Sequence, residues 1–325
     1  MADPAVTVLR FSDLEGWAAD DHEAALSAFL ETCGDLNDPD WLPLCSLARS
    51  GPGARAFFEQ LFTPVLVEDG VPMLFTGYFE PELEGSLTPD ETFAYPIYRK
   101  PPEILDGVPW LTRQEIEESD VLDERGLELF WLSDPVDLFF LQVQGSGRIR
   151  LPDGSLRRVG YGGKNGREYS SVGLELVRRG LFEAHEVSAA TIRNWVRDNP
   201  EEGRALLQVN ESYVFFRPVD DVPPEKGPLG AMNRSVTEMR SVAVDPEYVP
   251  LGAPVWIEKE GADPMRRLMI AQDTGSAIKG AQRADIFFGT GEEGGRAAGR
   301  IRDGGRMVVL LPIQRAYAMA DAVRR

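Results

Sequence analysis

Three aspartates in the C-terminal third each border an apolar run: Asp245 in Ala243-Val-Asp-Pro, Asp273 in Ala271-Gln-Asp-Thr-Gly, and Asp285 in Ala284-Asp-Ile-Phe-Phe. Aspartate before Pro, Thr or Gly is ordinary turn chemistry, and this accounts for Asp245 and Asp273. It does not account for Asp285, which is followed by Ile-Phe-Phe. A carboxyl group among apolar neighbours keeps its proton to higher pH. One such acid can protonate the oxygen that leaves when a glycosidic bond breaks. Other chemistries fall away. His22 (Asp-Asp-His-Glu) and His185 (Glu-Ala-His-Glu) are the two histidines, and both read as solvated helical positions. With no GxSxG elbow either, a Ser–His–Asp arrangement finds no support. Cys33 and Cys45, without a CxxC, do not make a Cys/His zinc site. Neither a metal nor a cofactor is expected.

Gly289-Thr-Gly291-Glu-Glu-Gly294 fits the letter of GxGxxG. A dinucleotide site needs a βαβ unit around it. Here one more strand, a short helix and the chain end follow, and two glutamates would repel a pyrophosphate. The run reads as a turn.

Of the elements that must position these residues, the first sixty residues read as helical, with Asp20–Cys33 closed by Gly34 and a second short helix at Gly53–Phe62. Strands follow at Val65–Val67 and Pro72–Phe79. Asp137–Gln144 reads as a strand, then Gly145-Ser-Gly and a strand pair turning at Pro152-Asp-Gly-Ser. Helices are expected at Gly166–Gly180 and Ser188–Asn199, with Ser188 as N-cap. Pro223–Pro228 reads as a linker. Ser241–Asp245, Ala253–Glu258, Arg267–Asp273, Ala284–Phe288 and Met307–Leu311 form short strands without regular helices between them, which suggests a small β-barrel. Gln314–Val323 closes the chain as a helix.

The chain has 325 residues, enough for two domains at roughly 150 residues each. Its 43% hydrophobic content supports a packed core. Thirty-four Lys+Arg against 53 Asp+Glu give a net charge of −19. Such a surface repels phosphate backbones and anionic bilayers, so nucleic acid is not an expected partner. No apolar run reaches the roughly 18 residues of a membrane span. Met1-Ala-Asp-Pro carries no basic and apolar targeting pattern. The protein is therefore cytoplasmic, or a targeting segment lies outside this chain. Cys33 and Cys45 read equally as a disulfide or as two free thiols.

Several blocks, in one order from Thr76 to the C-terminus, carry a family resemblance. Ser241-Val-Ala-Val-Asp-Pro, Val249-Pro-Leu-Gly, Gln272-Asp-Thr-Gly-Ser-Ala-Ile-Lys-Gly and Ala284-Asp-Ile-Phe-Phe-Gly resemble the three-aspartate "3D" domain, a double-psi β-barrel. Thr76-Gly-Tyr-Phe-Glu-Pro, Tyr95-Pro-Ile-Tyr, Gln142-Val-Gln-Gly-Ser-Gly, Tyr161-Gly-Gly-Lys-Asn-Gly, Asn210-Glu-Ser-Tyr-Val-Phe-Phe and Gly227–Ala231 resemble the membrane-bound lytic murein transglycosylase A family. The resemblance implies a mainly β fold with helices: a double-psi β-barrel domain carrying a second, β-rich inserted domain, with a glycan groove between them. The expected division is 1–90 and 226–325 for the two parts of the barrel domain and 91–225 for the insert.

It also implies cleavage of the β-1,4 bond between N-acetylmuramic acid and N-acetylglucosamine without water, leaving 1,6-anhydro ends. Asp285 matches the catalytic aspartate and Asp273 a second aspartate of the groove. Tyr78, Gln142, Gln144, Ser146, Lys164 and Asn165 become sugar-binding candidates. Asp245 joins that set by position, although its turn setting favours a structural role in the barrel. Expected partners are peptidoglycan strands, with a cell-wall synthesis or degradation complex left open. Peptidoglycan lies outside the inner membrane, so a periplasmic, outer-membrane-associated protein whose targeting segment lies outside this chain is favoured. The same location favours a Cys33–Cys45 disulfide. Two rivals stand beside this: a hydrolase using Asp285 with Asp273 or Glu80 as base, and a non-catalytic glycan-binding protein.

Overall fold

The computed structural model describes residues 4–51 and 53–323, as a mixed helix and sheet protein in two compact units. Met1–Asp3, which bear on the targeting pattern, lie outside the described residues. Unit 1 comprises residues 1–79, 223–289 and 293–325; unit 2 comprises 80–222 and 290–292.

The strands in chain order begin with β1 (Ala5–Val8), β2 (Phe62–Glu68) and β3 (Leu74–Glu80). Next come β4 (Glu82–Ser86), β5 (Tyr95–Tyr98), β6 (Glu128–Leu132), β7 (Gly147–Arg150), β8 (Leu156–Lys164) and β9 (Val214–Pro218). The last group is β10 (Ser241–Val244), β11 (Pro254–Lys259), β12 (Met265–Asp273), β13 (Arg283–Thr290), β14 (Arg302–Asp303) and β15 (Gly305–Pro312). Helices are α1 (His22–Thr32), α2 (Leu42–Ser50), α3 (Ala54–Leu61), α4 (Arg113–Glu117), α5 (Pro135–Gln144), α6 (Val172–Arg178), α7 (Ala189–Asp198), α8 (Pro200–Gln208), α9 (Gly291–Ala298) and α10 (Ile313–Val323).

Unit 1 is built on a nine-stranded sheet of order β1-β2-β15-β11-β12-β10-β13-β3-β14. The stretches Val242–Val244 of β10, Val255–Ile257 of β11 and Met307–Leu311 of β15 are apolar on both sides because both faces are covered. Its core gathers Phe29, Phe57 and Phe58 from the N-terminal helices with Phe62 from β2 and Trp256 from β11. Trp17 stands edge-on to Trp256 at 5.2 Å and to His22 at 4.6 Å. His22 is therefore buried, contrary to its reading as a solvated position: its acidic sequence neighbours hide a ring that packs on indole. Burial lowers its pKa. His185 is exposed, as expected. Helix α1 leaves through a 3-10 turn, Cys33–Asp35, that contains Gly34.

Unit 2 has a six-stranded sheet, β5-β6-β4-β7-β8-β9. The segment Asp137–Gln144, expected as a strand, is helix α5. Asp134 accepts the Val136 N–H at 2.7 Å, Pro135 sits in the first turn, and Gly145 at φ 78° ends the helix. Leu141 packs into the sheet core, whereas Val136 and Phe139 pack with α6, α7 and α8. An apolar run buried on opposite sides lacks the polar stripe that marks a helix, so its period reads equally as a buried strand. Ser188 caps α7 by accepting the Thr191 N–H at 3.0 Å.

Cys33 and Cys45 are joined in a disulfide that ties the end of α1 to α2. Closing a loop of 12 residues removes unfolded-state freedom of roughly 3 kcal/mol. Replacing both cysteines by serine should lower unfolding stability by about 2–4 kcal/mol in denaturant titrations; an unchanged midpoint would contradict this contribution.

Candidate active site

Asp285 lies on β13 and Asp273 ends β12, and β10 runs between these two strands. Ala243 of β10 is the register partner of Asp285 in the antiparallel ladder and of Asp273 in the parallel one. Directly paired residues project from the same face of a sheet, so both carboxylates flank the small Ala243 side chain. Asp273 reaches that face through an irregularity in the β10–β12 pairing: Val242 pairs with Ala271, and the next partner of Ala243 is Asp273, skipping Gln272. One extra residue in a strand re-aims the side chains after it. Gln272 turns inward, donating to Ala28 O at 2.8 Å and Thr32 Oγ1 at 3.1 Å, and accepting from Ser241 Oγ.

Thr76 and Tyr78, two apart on β3, share a face. Thr76 Oγ1 donates to Asp285 Oδ1 at 2.5 Å, and Arg283 Nη2 donates to the same hydroxyl oxygen at 2.9 Å. Because the Thr76 oxygen is occupied by the guanidinium, its hydrogen turns toward the carboxylate. Among the described residues Asp285 Oδ2 has no hydrogen-bond partner, and it is the oxygen left for a transferable proton. Burial raises the Asp285 pKa, opposed by the Thr76 bond and the Arg283 charge.

Tyr78 donates its phenol to Asp273 Oδ2 at 3.0 Å, and its ring packs on Phe287 at 5.1 Å. Asp273 Oδ1 accepts the N–H groups of Ala231 and Thr274, each at 2.9 Å. Burial pushes Asp273 up to about 6, the three hydrogen bonds pull it down, and the Asp285 charge adds a smaller upward push. The Tyr78 phenol is driven well above its ordinary value by its own burial and then by the two carboxylates, so it stays a donor.

Gly77, between these two β3 residues, faces the opposite side. A Cβ there would stand 2.7 Å from Ala298 Cα and 2.9 Å from Ala298 O at the end of α9. Any side chain must displace α9 or shift the strand that carries Thr76 and Tyr78. The run Gly289–Gly294, expected as a turn, is the strand-to-helix junction from β13 into α9. Its glycines answer local crowding: at Gly289, φ 92°, a Cβ would meet the Glu238 carboxylate at 2.5 Å. The following β14 pairs antiparallel with β3, so no βαβ unit forms around the run.

Asp245 is buried, 3% exposed, and accepts from Gly280 N at 2.9 Å and Lys279 Nζ at 3.4 Å. It anchors the loop that leads into β13. Asn165 is likewise internal to unit 2, at 0% exposed. Its amide donates to Leu111 O and Glu211 O, both at 2.8 Å, and its oxygen accepts from Tyr213 N at 2.9 Å. All these groups answer backbone that would otherwise be unpaired, so the Asn165 side chain is fully engaged within unit 2. Gln142 is 4% exposed, with the Tyr213 phenol beside it. Gln144 at the end of α5 and Lys164 at the end of β8 are half-buried, and Ser146 is buried just after Gly145. Glu80, the alternative base of a hydrolase, is 0% exposed within unit 2. Arg148 Nε lies 2.8 Å and Arg158 Nε 2.7 Å from its oxygens, and Thr290 Oγ1 donates at 2.9 Å. Its two oxygens are thus taken up by two guanidinium groups and a hydroxyl, which leaves neither free to accept a proton from water.

Thr76, Arg283 and the Ala231 N–H were not among the expected site residues. Thr76 and Ala231 stood inside recognised blocks, and the i, i+2 spacing to Tyr78 was the available signal for Thr76.

The model of the MltA specific insert domain matches residues 74–217, and that of the 3D domain matches residues 240–311. The crystal structure of membrane-bound lytic murein transglycosylase from Agrobacterium tumefaciens superposes with a TM-score of 0.88 at 34% identity, covering 97% of this chain and 99% of that one. The chain belongs to the membrane-bound lytic murein transglycosylase A family. Membrane-bound lytic murein transglycosylase A of Vibrio cholerae is 38% identical over 246 residues, which are 72% of this chain and 64% of that protein. The Escherichia coli K12 protein of the same name is 37% identical over 73% of this chain and 65% of its own length. The match thus spans just under two thirds of these curated relatives. Escherichia coli MltA solved with bound chitohexaose superposes with a TM-score of 0.76 at 29% identity, covering 94% of each chain.

Burial that raises Asp273 makes the folded chain hold its proton more tightly than the unfolded chain does. The associated stability is full below the ordinary carboxyl range near 4 and is lost as pH rises through about 6. Asp273→Asn removes this titration. The variant should melt above the parent at pH 8, with the difference closing near pH 3.5; a difference independent of pH would rule out the linkage.

Proposed function

We propose that this protein is a lytic transglycosylase that cleaves the β-1,4 bond between N-acetylmuramic acid and N-acetylglucosamine in peptidoglycan. The observation that carries the reading is Asp285: an acid in an apolar strand whose burial favours the protonated form, with Oδ1 held by Thr76 and Oδ2 open. In the forward step Asp285 Oδ2 gives its proton to the glycosidic oxygen as the C1–O bond breaks. The muramyl O6 then bonds to C1 and returns its proton to the carboxylate, leaving the 1,6-anhydro end and an unchanged enzyme. The O6 nucleophile is part of the substrate, so proximity replaces activation of water. Asp273, fixed by Tyr78 and two backbone N–H groups, supplies negative charge on the same face of the sheet when ionised, where positive charge develops at C1.

Support comes also from the named function of the Vibrio cholerae and Escherichia coli relatives and from the chitohexaose bound by the latter's solved structure. On unit 2 we assign Gln144, Ser146 and Lys164 to the glycan, with Gln142 behind them. We read unit 2 as the family's insert and the nine-stranded sheet as the double-psi barrel, a reading supported by the parallel β10–β12 pairing beside the antiparallel β10–β13 one. The membrane-bound relatives and the disulfide support a periplasmic, outer-membrane-associated setting. Among the described residues no helix is long and apolar enough to cross a membrane.

Asp285→Asn should lower turnover of purified sacculi by about 10²–10⁴-fold while glycan binding survives. Mass identification of the muropeptides should find anhydro ends; reducing ends would make the enzyme a hydrolase, and surviving activity would sink the assignment of the acid. Thr76→Val removes a bond that favours the charged carboxylate. Since the reaction needs the protonated acid, activity falls as pH rises through its pKa, and this limb should move to higher pH in the variant. A limb that stays in place in a pH–rate profile would show that Thr76 does not act on Asp285.

A further inference from the structure

Unit 2 contains a cavity of about 680 Å³ that includes none of the residues assigned to the glycan. Its volume is in the range that holds a small molecule or short peptide. Tyr95, Tyr98, Leu122 and Leu138 give it aromatic and aliphatic lining. Arg113, 2% exposed, also lines it, with its guanidinium 4.9 Å from the Phe139 ring centre and 5.2 Å from that of Tyr213. This guanidinium donates to Asn210 O at 3.0 Å, Ser212 O at 2.6 Å and Glu117 at 3.2 Å. Of its five N–H groups, two have no partner among the described residues.

The charges along the cavity sort into paired and unpaired. Glu117 is held by Arg113, and Asp134 by Arg197 at 2.7 Å. Asp120, Asp123 and Arg204 are exposed and have no ion-pair partner among the described residues, Arg204 Nη2 donating only to Glu117 O at 3.5 Å. Glu118 also lacks an ion pair, but its carboxylate accepts from Gln114 Nε2 at 3.1 Å and Gln208 Nε2 at 3.3 Å. The groups left over are thus of both signs, beside an apolar wall. A neutral sugar would leave them unanswered, and a phosphate would be repelled by the two carboxylates. An α-amino-acid centre, with one ammonium and one carboxylate on an aliphatic chain, answers both.

We propose that this cavity binds the free amino-acid centre of a diamino acid in the peptides that branch from peptidoglycan strands. The ammonium meets Asp120 and Asp123, the carboxylate meets Arg204 and the unengaged N–H groups of Arg113, and the aliphatic chain lies against Leu122 and Leu138. This rests on the proposed action on peptidoglycan and adds a subsite for its peptide, apart from the site of cleavage.

The test is calorimetric titration of the full chain with the tripeptide L-Ala–γ-D-Glu–meso-diaminopimelate, with the same peptide N-acetylated on its free side-chain amine, and with chitohexaose. The tripeptide should bind, and acetylation should weaken it at least about tenfold. The double variant Asp120→Asn, Asp123→Asn should do the same, as should Arg204→Gln, while cleavage of peptide-free glycan strands stays at the parent rate. These three side chains are exposed, so melting temperatures should be unchanged. The proposal is overturned if the tripeptide fails to bind at millimolar concentration, if the acetylated peptide binds equally, or if the substitutions weaken chitohexaose instead. Absence of anhydro products from peptide-free strands with the parent protein would sink the proposed function by itself, because peptide binding is read without turnover.

Discussion

The pairing irregularity at Gln272 sets the site. In a regular ladder Gln272 would stand opposite Ala243 and share a face with Asp285, and Asp273 would point to the far side. Skipping one residue exchanges the two. The exchange is held because the displaced glutamine has somewhere to go: both amide donors reach α1 and its oxygen takes the Ser241 hydroxyl. Helix α1 therefore has a role that its distance in sequence from the aspartates conceals. It provides the acceptors that keep the irregularity in one register, and so keeps two carboxylates one strand apart on the same face.

Two acids so placed are costly as anions. Moving a carboxylate out of water costs several kcal/mol unless it is hydrogen-bonded or paired. The structure treats the two unequally. Asp273 has three donors, from Tyr78, Ala231 and Thr274, yet burial still pushes it up to about 6. Asp285 has one hydroxyl and the charge of Arg283, and burial still dominates. Opposed environments of this kind separate the roles of two neighbouring carboxyl groups. The group with one oxygen free is suited to give and take a proton, and the group with both oxygens bonded is suited to stay in place.

Asp285 was legible in the sequence because an acid followed by Ile-Phe-Phe breaks the rules of turn chemistry. The strands of the last hundred residues were legible because Gly and Pro punctuate them. Burial accounts for the features that were not legible. Helix α5 has apolar residues packed on two sides, so its pattern carries no period. His22 sits among acids in sequence but against Trp17 in space. Asn165 stood in a block that resembles the transglycosylase family and was expected to bind sugar, and its side chain closes three backbone gaps between strands and loops distant in sequence. Polar residues within a recognised block serve the fold as readily as the ligand, and only their hydrogen bonds distinguish the two.

The same distinction orders the three aspartates. Asp245 accepts the Gly280 N–H, and Asp69 accepts the next one, from Ala281. Gln282, two residues further from Gly280, bonds Val67 O, Met307 O and Met307 N across β2 and β15. Three consecutive residues are thereby fixed immediately before β13 begins. A strand entered from so constrained a loop has little freedom to slide, and a slide of one residue would turn Asp285 away from Thr76. Asp245 thus bears on Asp285 by holding the register of the strand that carries it, and its near-complete burial is the condition for that role.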